Sequence, residues 1–343
     1  MPRRVDVPTL VDQVLANQRA GIARAVTLVE SSLPADRPLA RQLLAALLPH
    51  SGKAVRVGLT GVPGAGKSTF IDAMGCRLIA QGHKVAVLAV DPSSSRTGGS
   101  ILGDRTRMGK LAESDNAYIR PSPSGGHLGG VARATREAMI IMEAAGYDIV
   151  LVETVGVGQS EVAVSGMVDT FLLLSLTRAG DQLQGIKRGI LELADVIAVN
   201  KADGDNAGEA RVTARDLSIA MKLINDESTG RRTPVLTCSA LTKTGLDEVW
   251  QAVLDHREWV DKTFGLEKRR ADQQVDWMWS QIEGSVIDSL RSTPELLKLG
   301  NQLEADVESS SVSALEASSE FLAAYARAVP GFAWAPDLSS TRQ

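Results

Sequence analysis

The chain has 343 residues, with 37 basic and 41 acidic side chains and a formal net charge of -4. Hydrophobic residues make up 44% and charged residues 23%, enough for a globular core of about two domains. This composition excludes a wholly disordered, collagenous or coiled-coil chain, and the charge balance argues against nucleic acid or membrane as a partner held by bulk charge. Two cysteines, Cys76 and Cys238, are too few for a disulfide framework and point to a reducing compartment. No apolar run approaches the ~20 residues of a membrane span. The N-terminus MPRRVDVPTL lacks the apolar stretch of a secretory signal. A cytoplasmic protein is expected, although a trimmed organellar chain would look the same.

Residues 1–52 are expected to form a helical N-terminal extension. Val11, Val14 and Leu15, then Ile22, Val26 and Val29, then Leu39, Leu43, Leu44, Leu47 and Leu48 recur at helical spacing. Asp36 and Pro38 suit a first turn. His50 to Lys53 reads as a linker.

Residues 53–260 change to alternating strands and helices. Strands are predicted at Val55 to Thr60, Val85 to Val90, Ile149 to Val152, Thr170 to Leu176, Val196 to Asn200 and Val235 to Cys238. Such continuous apolar runs suit a mostly parallel sheet covered by helices on both faces. Functional groups are then expected at the carboxyl ends of the strands.

Residues 261–343 are expected to form a helical C-terminal arm. Val275, Met278, Ile282 and Val286 trace one stripe, and Leu303, Val307, Leu315, Leu322 and Tyr325 suggest further helices around Ser309 to Ser311. All five tryptophans (Trp250, Trp259, Trp277, Trp279, Trp334) fall late in the chain. Such an arm suits either an oligomer interface or an ordinary helical subdomain.

Gly61-Val62-Pro63-Gly64-Ala65-Gly66-Lys67-Ser68, followed by Thr69, matches the phosphate-loop pattern G-x-x-x-x-G-K-[ST] between a strand and a helix. Its glycines let backbone N–H groups curl around phosphate oxygens, and the helix N-terminus adds positive potential. Lys67 is expected to reach the β- and γ-phosphates and Ser68 to ligate Mg²⁺. The fold class that follows is an α/β P-loop NTPase with helical extensions at both ends.

Asn200-Lys201-Ala202-Asp203 follows a predicted strand and matches the N-K-x-D box that selects guanine. The Asp203 carboxylate would accept from guanine N1–H and the exocyclic amine. Adenine supplies neither donor, and an unpaired buried acceptor is costly. Ser239-Ala240-Leu241, after the next strand, resembles a second guanine-contacting loop. GTP or GDP is therefore the expected ligand.

Asp91 and Glu153 end predicted strands beside the phosphate loop, and Asp104 follows in a polar loop. Together with Ser68 they are the candidate Mg²⁺ site, in oxygen chemistry that suits the ion. Gly156 is placed to give its N–H to the γ-phosphate. Val157 stands where many GTPases hold a glutamine, and Gln159 comes two residues later, so slow intrinsic hydrolysis is expected. Arg105, Arg107 and Lys187 are candidates for neutralising developing charge. Ser122 to Gly130, which includes His127, and Thr177 to Gly189 are expected to be mobile loops. No Cys/His cluster has metal-ligand spacing.

The strings GVPGAGKST, VDPSSSRTGGSILGDRTRM, ETVGVGQSE and NKAD, in this order and spacing, resemble the MeaB/ArgK family of GTPases. The resemblance covers nearly the whole chain. It implies a G-protein chaperone that gates adenosylcobalamin loading of methylmalonyl-CoA mutase, protects the mutase from inactivation, and hydrolyses GTP faster in its presence. It implies a homodimer through the C-terminal arm, with no directly bound cobalamin. It also implies Mg²⁺-site acids at Asp91, Asp104 and Glu153, and a partner-responsive switch over about Thr177 to Arg188 that includes Gln184 and Lys187. Two rival expectations are an ATP-dependent small-molecule kinase, which Asp203 opposes, and a metallochaperone GTPase, which the sparse Cys and His oppose.

Overall fold

The structure is a computed structural model that describes residues 5–31, 33, 35–91, 108–123, 128–154, 160–177, 188–224, 231–290 and 293–328, with backbone alone at 91, 122–123, 128–131 and 188. It divides into two compact units, residues 1–273 and 274–343.

The first unit is built on seven parallel strands. They are β1 (Val55–Gly61), β2 (Val85–Asp91), β3 (Ala117–Pro123), β4 (Ile149–Thr154), β5 (Thr170–Leu176), β6 (Val196–Asn200) and β7 (Val235–Thr237). Their order across the sheet is β3-β2-β4-β1-β5-β6-β7. Chain order reverses on either side of β1, so the crevice beyond its carboxyl end is where a ligand is expected in an open α/β sheet. Six of the strands were expected. β3 was not, because Ala117-Tyr118-Ile119-Arg120-Pro121-Ser122-Pro123 is polar and carries two prolines. It pairs with β2 alone, at the sheet edge, where a missing N–H is tolerated.

Both faces of the sheet are buried, which explains the unbroken apolar runs. Ala86, Leu88, Val90, Val150 and Val152 lie on one face, Val85, Val87, Ile149 and Leu151 on the other. The first face is covered by α6 (Leu128–Ala144) and, against it, by the N-terminal helices α1 (Val7–Leu15), α2 (Arg19–Glu30) and α3 (Arg37–Leu47). Most of each predicted stripe is buried, since Val14, Ile22, Val26, Val29, Leu43 and Leu47 all join this core, but Leu15 and Leu48, at the ends of their stripes, are exposed. Arg19 Nη2 donates to the carbonyls of Ser114 and Ala117, each at 2.7 Å, and Arg120 pairs with Glu30, so α2 is fastened to the start and middle of β3. The opposite face carries α4 (Lys67–Ala80), the short α5 (Gly109–Ala112) and α10 (Leu246–Phe264). The remaining helices of this unit are α7 (Ser160–Ser165), α8 (Arg188–Leu193) and α9 (Asn206–Ile224).

At the amino end of the sheet, Asp169 is 1% exposed and holds several segments. Arg270, near the start of α11 (Leu266–Ser289), donates to its carboxylate at 2.8 and 2.6 Å and also to the carbonyls of Gly52 and Ala54. The Arg56 N–H donates to Asp169 at 3.0 Å, while the Arg56 side chain pairs with Glu143 at 2.5 Å. Buried charges survive only when paired in this way.

Within the second unit, α12 (Pro294–Glu308) and α13 (Ala314–Ala328) pack together through Leu296, Leu303 and Ala317. Thr293 caps α12 by accepting from the Leu296 N–H, and Ser289 Oγ lies 2.6 Å from the Tyr325 hydroxyl.

His256 is buried beneath β5, with Nδ1 2.8 Å from Thr170 Oγ1 and Nε2 3.2 Å from Asp195 Oδ1. Burial pushes its pKa below the ordinary 6.5, and Asp195 opposes that shift. The folded ring therefore stays neutral where the unfolded one takes up a proton. Stability owed to this group should be constant above pH 6.5 and fall below it, with a slope approaching about 1.4 kcal/mol per pH unit. Urea unfolding across that range should show the fall, and His256→Gln should remove this part of it. An unchanged slope in the variant would exclude His256 as the source.

Candidate functional site

β1 ends on Gly61, which registers with Leu174 of β5, and a Cβ there would collide with the Leu174 carbonyl. The chain then turns, with the Ala65 N–H donating to Val62 O at 3.0 Å, and enters α4 through Gly66. Gly66 has φ +84°, and a Cβ on it would sit 2.9 Å from Asn200 Nδ2. Both the left-handed backbone and the close approach require glycine.

Lys67 opens α4, and its ammonium donates to Gly61 O at 2.8 Å, bridging the loop. Burial pushes its pKa below the ordinary lysine value, while the carboxylates of Glu153 and Glu161 act in the opposite sense. Ser68 Oγ donates to Glu153 Oε1 at 3.3 Å. Glu153, at the end of β4, is 4% exposed. A hydroxyl and a buried carboxylate converging beside the phosphate loop form a hard-oxygen pair, which fits Mg²⁺. Among the described residues no group of three His, Cys, Asp or Glu side chains could hold a metal alone. Mg²⁺ at such a site commonly takes nucleotide oxygens and water as further ligands. Asp91 ends β2, next to β4, and only its backbone is described. Asp104, Arg105, Arg107, His127, Gly156, Val157, Gln159, Gln184 and Lys187 lie outside the described residues.

The guanine-box segment meets the phosphate loop through one buried amide. Asn200, 1% exposed at the end of β6, donates through Nδ2 to Ala65 O at 2.8 Å. Its Oδ1 accepts from the Ala240 N–H at 3.1 Å, with Cys238 Sγ at 3.8 Å. Lys201 adopts a left-handed φ of +61°, turning the chain towards Asp203. Ser239 Oγ donates to Asp203 Oδ1 at 2.5 Å and accepts from the Thr242 N–H at 3.1 Å. The structure thus brings Asn200, Asp203, Ser239 and Ala240 together with the phosphate loop. Lys201 is exposed, and Leu241 is 77% exposed at the rim.

Sequence reasoning passed over Cys238 and Glu161. Burial pushes the Cys238 thiol up to about 12, so it serves as a neutral packing group behind Asn200. Glu161 lies within the quoted string ETVGVGQSE, and the one available signal was an acid at the start of a short helical run.

Replacing Asn200 by Ala removes both bonds that join the loops and leaves the Ala65 carbonyl without this donor. The expected cost is about 1–3 kcal/mol of stability and at least tenfold weaker binding of fluorescent GDP. Calorimetry and a binding titration check the two effects, and affinity equal to that of the parent would exclude the latch.

Residues 22–295 match the family described as methylmalonyl Co-A mutase-associated GTPase MeaB. A probable GTPase of Mycobacterium tuberculosis is 55% identical over 316 residues, covering 92% of this chain and 94% of that protein. GTPase ArgK of Escherichia coli is 46% identical over 308 residues, covering 89% and 93%. The mitochondrial methylmalonic aciduria type A homolog of Mus musculus is 44% identical over 329 residues, covering 93% and 79%. A crystal structure described as a LAO/AO transport system kinase superposes with a TM-score of 0.74 at 37% identity, covering 93% of this chain and 98% of that one. With the family match spanning most of its length, the chain belongs to the MeaB family of P-loop GTPases.

Proposed function

We propose that this GTPase is a chaperone for an adenosylcobalamin-dependent methylmalonyl-CoA mutase, gating loading of the cofactor and protecting the mutase from inactivation. It is slow alone and accelerated by the mutase. The GTP part of this proposal rests on one observation, the Asn200–Asp203–Ser239 arrangement. It leaves a carboxylate, braced by a hydroxyl, at the end of β6 beside the phosphate loop. The mutase part rests on the family, whose name carries that association.

In this proposal Gly61 to Thr69 cradle the phosphates and Lys67 meets the β- and γ-phosphates. Ser68, Asp91, Asp104 and Glu153 hold Mg²⁺, which supplies charge neutralisation at the transferring phosphoryl group. Gly156 donates to the γ-phosphate, Gln159 orients water and Arg105 offsets developing charge. Asn200, Lys201, Asp203, Ser239, Ala240 and Leu241 enclose the base. Gln184 and Lys187 respond to the mutase. Cobalamin stays with the mutase.

The functional parts are an extension at 1–52, a GTPase domain at 53–260 and a dimerisation arm at 261–343, in a cytoplasmic homodimer. Support for the arm comes from α11. Val275, Met278, Trp279, Ile282 and Val286 form a helical stripe, and each is between 38% and 56% exposed. A stripe of this kind suits a helical partner. No described helix is long and apolar enough to cross a membrane.

A kinase is the second reading, favoured by the description of the 37% identical structure. GTP and ATP turnover measured in parallel, alone and with a methylmalonyl-CoA mutase, separates the two. The expected result is slow GTP turnover that rises with the mutase and little ATP turnover. Indifference to the mutase would remove it as client, and equal ATP turnover would revive the kinase. Asp203→Asn tests the base site. GTP affinity should fall at least tenfold, with preference moving towards xanthosine nucleotides, because the amide presents a donor where guanine also presents one. Unchanged GTP affinity would take Asp203 out of the site.

A further inference from the structure

β1 and β4 run side by side and part at their carboxyl ends. Their backbone ladder extends from Val55 opposite Ile149 to Leu59 opposite Glu153, and ends there. β1 goes on with β5, placing Thr60 opposite Leu173 and Gly61 opposite Leu174. β4 goes on with β2, placing Thr154 opposite Val90. The two prongs of this fork carry the site, since Lys67 donates to Gly61 O on one and Ser68 to Glu153 on the other. A side-chain bond spans the fork. Thr154 Oγ1 donates to Thr60 Oγ1 at 2.9 Å and lies 3.4 Å from Leu59 O, and both threonines are 0% exposed. Valine would fill either place in an apolar strand without a buried hydroxyl to satisfy. Successive residues of a strand point to opposite faces, so the Thr154 hydroxyl and the Glu153 carboxylate leave the sheet on opposite sides. What the bond holds is therefore the backbone that the two residues share.

We infer that Thr154, clasped to Thr60, is a positioning residue for GTP hydrolysis, fixing where the Glu153 carboxylate stands relative to Ser68. The inference rests on Ser68 and Glu153 being Mg²⁺ ligands. Glu153 is the last residue of β4 that pairs with β1, and the clasp holds the residue that follows it. Mg²⁺ tolerates little departure from octahedral geometry, so a small displacement of one ligand weakens its hold. Groups that orient metal ligands typically matter by about 10–100-fold in affinity or activity. The two hydroxyls also allow positioning to be separated from support of the fold. Losing one of them leaves the other buried and unpaired, whereas replacing both by apolar groups of the same shape costs little stability. A clasp that only supported the fold could be replaced by two valines. A clasp that positions Glu153 cannot.

The test uses the full chain with Thr154→Val, Thr60→Val, the two together, and Thr154→Ser. Four quantities are measured on each: the unfolding midpoint, Mg²⁺ affinity of the GDP-bound protein by calorimetry, GDP affinity in EDTA, and GTP turnover. Either single valine should lower the midpoint, and the double variant should return it close to the parental value. In the double variant Mg²⁺ affinity and kcat should nevertheless fall about tenfold, with GDP affinity in EDTA unchanged. Thr154→Ser keeps the donor and should recover most of both. Parental Mg²⁺ affinity and kcat in the double variant overturn the inference and leave the hydroxyls as support of the fold. A fall in GDP affinity in EDTA as large as the fall in Mg²⁺ affinity overturns it too, because the damage would then be general to the cleft. Thr154→Val set against Thr154→Ser repeats the test in single variants, and equal Mg²⁺ affinity in those two overturns it as well. Parental turnover that needs no Mg²⁺ would instead remove the metal reading itself, and this shows before any variant is made.

Discussion

The entry to β1, the start of β5 and the root of α11 are organised around a buried negative charge, that of Asp169. Asp169 draws together the entry to β1 through the Arg56 N–H and the root of α11 through Arg270. Arg270 in turn secures the linker before β1 through the carbonyls of Gly52 and Ala54. Arg257 of α10 lies 3.7 Å from the same carboxylate. An acid in this position is costly unless all these partners are present, so it favours one arrangement of distant segments over any slipped alternative. The carboxyl end of the sheet can then carry glycine-rich loops, because the strands beneath them are already in register.

The carboxyl end follows a different rule. Among the described residues its loops are joined by hydrogen bonds from polar side chains. Asn200 reaches the phosphate loop, Ser239 braces Asp203, and Lys67 closes on Gly61. The Lys67 bond to Gly61 O can be exchanged for a phosphate contact at little cost, since a net hydrogen bond is worth about 0.5–1.5 kcal/mol, while the Asn200 bond to Ala65 O keeps the two loops joined. Rigid charge pairing at one end and exchangeable hydrogen bonding at the other place adaptability beside the ligand.

Legibility in the sequence followed the range of the interactions. The phosphate loop, Asn200 to Asp203 and the six apolar strands are local patterns, readable from neighbours in the chain. The helical stripes at Ile22, Val26 and Val29 and at Leu43 and Leu47 were readable for the same reason, and the structure buries them. The Asp169–Arg270 pair spans 101 positions, and nothing near either residue announces it. β3 escaped because an edge strand needs neither an apolar run nor a full set of N–H donors. Glu161 escaped because burial of a single acid is a tertiary property, invisible in a short polar string. The expected switch segments around Asp104, Gly156 and Gln184 lie outside the described residues.

β3 has a last consequence. A parallel sheet with an open outer strand is a template on which another chain can add by backbone pairing, the route to aggregation. Here Pro121 and Pro123 remove two N–H groups from that strand. The carbonyl of Ala117, at its start, is taken by Arg19. What remains is a row of donors and acceptors too interrupted to be copied. The same prolines that hid the strand from pattern reading therefore make the sheet end there.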